Sequence, residues 1–323
     1  MDLPIPDSWP EAARHLLPVL RGPTSPANAW EAALDNAEAV LVREPLTPFL
    51  DVVVVLDLPE LRLFVNQGHL DRWEATPEAA LGAARENLPP ATGLAPWEID
   101  GVWTLDARDG YASSRLALPG WLAAFRDRVR GEPVAVIPDA DTILVGGTDG
   151  GLPTEALVTE AFNRFHAAGT PVSPGPVTID DNGRLIAWNP PLDHPLVHRV
   201  QACHRYGAGY EYRRQQDPFA QWLVDHDVPD LLAPYSLLRH PSGRVVSFAC
   251  WPGGPALLPR ADLVVLGPPG RLDGAPAVPW QAMIAAGHIG EPEPTLSPPR
   301  YRVTGAPDPG SLPAVDPRSY QPH

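Results

Sequence analysis

Residues 133–147 read PVAVIPDADTILVGG, two short apolar runs broken by Pro138-Asp139-Ala140-Asp141. Proline and aspartate between two runs rich in β-branched residues predict a strand, a tight turn and a second strand. A second copy lies at residues 255–267, PALLPRADLVVLG, where Pro259, Ala261 and Asp262 match Pro138, Ala140 and Asp141 at one constant offset. The repeat predicts an α+β fold: two related units of short, mainly antiparallel strands with packed helices.

Upstream, Asp7 or Ser8 caps a first helix that carries Leu16, Leu17 and Leu20 on one side, and Ser25-Pro26 opens a second with Trp30. Residues 40–42, 51–56 and 61–65 are strands, and the unbroken apolar run 52–56 is a central one buried on both faces. Thr76-Pro77-Glu78 starts a helix that ends before Pro89-Pro90. Residues 102–105 and 111–118 form a hairpin around Arg108-Asp109-Gly110, and a helix follows Pro119. A helix runs from Pro153-Thr154 to Ala168.

The proline-rich stretch 169–176 is the expected joint, dividing the chain into units 1–172 and 173–290. Beyond it come a hairpin around residues 180–183, a helix over 195–213 interrupted at Gly207 and Gly209, and a new helix from Asp217-Pro218. A further hairpin turns at Pro241-Ser242-Gly243. Residues 291–323 form a Pro-rich tail, expected to be largely extended or disordered, with residues 301–303 as one added edge strand.

Composition removes several function classes. The net charge of −15 argues against nucleic acid, which needs a basic stripe. There is no lysine, so Schiff-base, phosphate-loop and kinase lysines are excluded. Apolar runs are too short for a membrane span, and the start, Met-Asp-Leu-Pro, lacks the pattern of a signal peptide. Cys203 and Cys250 make neither a metal spacing nor a disulfide framework, which fits a cytoplasmic protein without a cofactor.

Three segments carry a family likeness: Leu63-Phe64-Val65-Asn66 through Thr76-Pro77-Glu78 to Leu88; Asp109-Gly110-Tyr111-Ala112-Ser113-Ser114-Arg115-Leu116; and the central stretch from Val134 to Leu144. In these the chain resembles the YtpQ-like family of uncharacterised bacterial proteins, with a weak echo at Pro259 and Asp262. Members usually carry arginine at the position of Ala140. The resemblance implies an α+β fold and brings no activity with it.

The candidate sites are few. Asp141 and Asp262 could supply paired carboxylates for acid–base work at a cleft between the units, although Asp139 has Arg260 as its counterpart and proline-aspartate is ordinary turn chemistry. His194 and His198 have the i, i+4 spacing of a zinc pair, with Cys203 and His204 nearby. Pro195 places His194 before the helix, and no zincin glutamate follows. The loop 146–151 lacks dinucleotide spacing, and Ser113-Ser114 lacks nucleophile-elbow flanks. Trp251, followed by Pro252-Gly253-Gly254, reads as an exposed aromatic anchor for a partner. The favoured expectation is a non-enzymatic adaptor or immunity-like factor that binds another protein. The alternative is a hydrolase or metal-dependent enzyme using Asp141, Asp262 and His194 or His198.

Overall fold

The computed structural model describes residues 5–88, 96–107, 110–149, 151–270, 274–294, 296–305 and 309–320. The fold is α+β with several antiparallel sheets, and it divides into two compact units, Met1–Pro190 and Pro191–His323. The expected joint at 169–176 is instead largely strand, because Val177, Ser173 and Pro171 find partners on the central hairpin.

In the first unit, α1 (Trp9–Ala12) leads to β1 (Leu16–Arg21), α2 (Ala27–Ala33), β2 (Arg43–Thr47), β3 (Leu50–Leu58) and β4 (Leu61–Phe64). The expected helical stripe through Leu16, Leu17 and Leu20 is thus a strand. Pro18 has no amide hydrogen to continue a helix, and its segment pairs antiparallel with β3. Strand β3 is the centre of this sheet, bordered by β1, β2 and β4, and Val52–Leu56 are essentially inaccessible.

Helices α3 (Gln67–Trp73) and α4 (Pro77–Asn87) follow. Asn66 and His69 form a capping box on α3, and Thr76 caps α4.

The second sheet of this unit runs β10-β9-β7-β8-β6-β5, with β5 (Trp97–Ile99), β6 (Val102–Asp106), β7 (Pro133–Asp139), β8 (Thr142–Gly147), β9 (Pro171–Ile179) and β10 (Leu185–Ala187). Helix α5 (Leu152–Ala167) packs on β7, β8 and β9. Residues 133–147 form the expected hairpin at the middle of the sheet, in register Ala135↔Val145 and Val136↔Leu144. Residues 111–118 are not a strand; Ser113–Ala117 wind into a 3-10 helix over β1. Arg108 and Asp109 lie outside the described residues, and β6 pairs with β5 and β8 instead.

The second unit opens with α6 (Val197–Asp225), one helix of 29 residues running through Gly207, Gly209 and Pro218. Gly209 lets the helix approach β12: a Cβ there would lie 3.4 Å from the Tyr235 ring. Strands β11 (Leu231–Leu232), β12 (Tyr235–Arg239), β13 (Val245–Trp251), β14 (Ala256–Pro259), β15 (Leu263–Leu266) and β16 (Ala277–Pro279) follow, then α7 (Trp280–Ala285) and β17 (Arg300–Val303). They form two sheets, β11-β14-β17 and β12-β13-β15-β16. The second copy of the strand-turn-strand is therefore no hairpin: β14 and β15 enter different sheets.

The described part of the tail folds into this unit. Strand β17 pairs with β14, and the Val315 amide donates to Ala277. Arg300 is fully buried. Its guanidinium donates to Gln215 and Gln216 Oε1 and to the Ala233 and Leu257 carbonyls. Prolines forbid a helix there but leave an extended chain free to pair.

At the base of the central hairpin, Gly147 has no room for a side chain: an added Cβ would lie 2.0 Å from the Arg130 carbonyl oxygen. Gly147→Ala should therefore lower unfolding free energy by about 1–3 kcal/mol, the cost of overpacking against backbone that cannot give. Urea titration of both proteins measures this.

Candidate functional site

Two of the sequence segments with the family likeness meet at the central turn. Asp139 Oδ1 accepts the Asp141 amide at 2.9 Å, an Asx turn. Asp141 in turn accepts two bonds, its carbonyl from Ala107 N–H at 2.9 Å and its Oδ1 from Gly110 N–H at 2.9 Å. The Ala140 carbonyl accepts from Ser113 N–H at 3.1 Å. Both acids thus serve the backbone first. Ser113 and Ser114 are fully buried and out of reach of a substrate.

A cleft of about 450 Å³ opens beside this turn. Its walls are Arg21 at the end of β1, Asp106 at the end of β6, Gly110, the turn itself and Arg164 on α5. Arg164 is engaged with Glu160 at 2.8 Å and Asp106 at 3.4 Å.

Arg21 is not so engaged. Its register partner Asp51 is taken by Arg43 at 3.0 Å, and its own recorded bond is to the Leu20 carbonyl at 2.8 Å. Burial first, then the neighbouring Arg62 charge, push Arg21 below the usual arginine range, against the pull of Tyr111 and Asp141. Arg62 pairs with Asp57 at 3.1 Å and lies 4.5 Å above the Tyr111 ring. Burial pushes Asp51 up to about 6, against the pull of Arg43.

The other sequence candidates fall elsewhere. Asp262 is fully committed inside the second unit: Oδ2 accepts from Arg205 Nε at 2.6 Å and from the Ser247 amide and hydroxyl at 2.7 Å, and Oδ1 accepts from Arg205 Nη2 at 2.9 Å. Pro138 lies one residue before the end of β7, and Pro259 is the last residue of β14. His194 precedes α6, with its Nδ1 accepting from the Leu196 amide, while His198 is exposed on the helix. Among the described residues no group of three or more histidine, cysteine or acidic side chains converges as a metal site. Cys203 is buried, which pushes its thiol up to about 12, and Cys250 is buried as well.

Trp251 is the clearest correction. It is 1% exposed, inside the second unit's core, and its indole N–H donates to the Gly254 carbonyl. The turn residues after it do not push it outward, because it ends β13 and faces Val264 and Met283 in the same apolar cluster.

The exposed tryptophan is Trp97. Strand β5 is the outer edge of the six-stranded sheet, with Trp97 43% and Ile99 61% exposed. Asp100 and Gly101, both at positive φ, turn the chain into β6. A Cβ on Gly101 would lie 2.9 Å from Pro153 Cγ, so the turn rests beside Leu152, itself 80% exposed. The Asp-Gly pair between apolar-alternating flanks is the sequence signal that finds this edge.

No family model matches the chain, and no solved structure matches it. It is similar to a UPF0354 protein of Listeria monocytogenes serotype 4a (strain HCC23), 24% identical over 176 residues, or 53% of this chain and 63% of that protein. A second relative, UPF0354 protein lin1649 of Listeria innocua, is 23% identical over the same length. The chain thus spans less than two thirds of these relatives' length.

Two outcomes separate the acids. Asp262→Ala strands the Arg205 charge, whose side chain is 10% exposed, and should cost about 3–5 kcal/mol. Asp141→Ala removes a hydrogen bond to Gly110 and should cost about 1–3 kcal/mol. Denaturant titration ranks them. For Asp51 the folded pKa of about 6 lies above the ordinary carboxylate value. The folded state therefore binds the proton more tightly between those values, and stability at this group falls as pH rises through that window. Relative to Asp51→Asn, the wild type should lose stability from about pH 4 to about pH 6 and hold level above it, in denaturation at stepped pH.

Proposed function

We propose that the chain is a non-enzymatic, YtpQ-like, cytoplasmic interaction factor that docks another protein along β5. The observation that carries this reading is the outer edge of the six-stranded sheet, where Trp97 and Ile99 stand exposed on one face of a strand that, among the described residues, pairs on one side only, with β6. Such edges are normally short, charged or covered, since they template pairing with another chain. This one is short but carries a large aromatic and a branched aliphatic side chain.

The occupant that fits is an extended segment of a basic protein. Its backbone would add to β5, and its alternate apolar side chains would rest on Trp97 and Ile99. Charge complementarity favours a basic partner: the chain's net charge is −15, and β5 carries Glu98 and is followed by Asp100. Opposite charge speeds encounter and makes binding sensitive to salt. A factor that masks a basic partner fits an adaptor or an immunity-like role. The hydrolytic alternative has less support, since Asp262 has both oxygens engaged and Asp141 serves the Gly110 amide.

Gentle purification from the native host followed by native mass spectrometry tests this. Wild type should carry a stoichiometric basic polypeptide that dissociates at high salt. Trp97→Ala should weaken that complex by roughly 30-fold, a hot-spot loss near 2 kcal/mol, without changing thermal stability. A partner held equally well by the variant would place docking elsewhere, and a bound small molecule in place of a polypeptide would favour an enzyme.

A further inference from the structure

The six-stranded sheet has a second outer strand, β10, at the end opposite β5. Residues of β10 line a hollow of about 570 Å³ together with residues of β2, which pairs only with β3 among the described residues. The chain over residues 116–123 supplies much of the remaining wall. This volume is in the ordinary range for small-ligand sites.

The apolar part of the lining belongs to the core. Leu116, Leu122 and Ile179 are buried members of the cluster that draws on both sheets of the unit, and Leu46 and Leu185 pack against it. Ile186, also in the lining, is 42% exposed. An aliphatic body placed here would extend the core rather than interrupt it.

The charges around the hollow are already matched. Arg85 meets Glu44 at 2.6 Å, and its Nε donates to the Ala117 carbonyl. Arg184 meets Asp180 at 3.0 Å. A charged ligand would have to displace one of these partners, so the lining selects against net charge.

One polar need is left. In the β9–β10 ladder the Asp180 amide donates to the Arg184 carbonyl and the Trp188 amide to the Pro176 carbonyl, with Leu185 opposite Ile179. Antiparallel ladders alternate, so Leu185 turns its amide and carbonyl away from β9. Leu185 is half-buried, and neither group has a hydrogen-bond partner among the described residues. A further strand does not fit the other side, because Pro45 of β2 has no amide hydrogen to continue a ladder. A carboxamide suits Leu185 instead: its carbonyl accepts from the Leu185 N–H while its N–H donates to the Leu185 carbonyl.

We propose that this hollow binds an uncharged aliphatic amide, its chain on Leu116, Leu122 and Ile179 and its amide group on the backbone of Leu185. The site is separate from docking at β5 and does not depend on it.

The test is calorimetric titration of the full chain with octanamide, octanoate, octylammonium and N,N-dimethyloctanamide, each below its aggregation concentration. Octanamide should bind saturably at one site per chain and raise the Tm. Octanoate and octylammonium should bind at least tenfold more weakly, since each carries a charge the lining has no partner for. N,N-dimethyloctanamide keeps the acceptor but has no N–H for the Leu185 carbonyl, and should lose roughly fivefold. Ala123→Phe, at a half-buried position in the lining, fills the hollow and should abolish octanamide binding with little change in its own Tm. Absence of saturable octanamide binding, octanoate binding as tight as octanamide, or undiminished binding in Ala123→Phe would overturn the proposal. If Ala123→Phe does not fold, the four-ligand series on the wild type decides by the same criteria.

Discussion

The first unit depends on what the backbone of one turn accepts. Asp139, Ala140 and Asp141 close the β7–β8 hairpin, and the same residues take amides from Asp141, Ser113, Ala107 and Gly110. Each such bond contributes only about 0.5–1.5 kcal/mol net, but a buried amide left without one costs more. The turn thereby fixes the segment after β6, which carries Tyr111 and the 3-10 helix over β1. With β1 so held, Arg21 comes to the cleft and Asp51 goes to Arg43. A change in this turn would disturb both the sheet and the cleft.

The chain treats similar charges in two ways. In the second unit Arg205 and Asp262 satisfy each other, with Ser247 filling the remaining positions of the carboxylate. Arg300 is buried without a carboxylate but is saturated by amide and carbonyl oxygens. These groups are structural, because each guanidinium nitrogen has an acceptor within the unit. In the first unit Arg21 donates to the Leu20 carbonyl and is drawn electrostatically to Asp141 across the cleft.

Periodicity made much of the fold legible. The apolar run in β3, the turns at Asp180–Gly183 and His240–Gly243, and the central hairpin all carry their local instructions in a few adjacent residues. What escaped was decided at a distance. Leu16–Arg21 has helical spacing, but Pro18 and the waiting edge of β3 make it a strand. Gly207, Gly209 and Pro218 look like breaks, yet α6 continues through all three, and at Gly209 the missing side chain is what lets the helix lie against Tyr235. The letters PRAD repeat the central motif, but Arg205 and Ser247 hold Asp262 while β14 and β15 part into separate sheets. Trp251 and Trp97 show the same limit at the surface: glycine and proline neighbours suggested exposure for the first, and only the position of each strand in its sheet decides.

The central claim, that a partner adds to the sheet at β5, is tested most directly by hydrogen–deuterium exchange on the complex isolated from the native host. Comparison is with the same protein after the partner has been stripped by salt. The account predicts that amides of residues 97–99 exchange slowly in the complex and fast without it, with those of β7 and β8 unchanged. Equal exchange at β5 in both states, with new protection on another element, would contradict it.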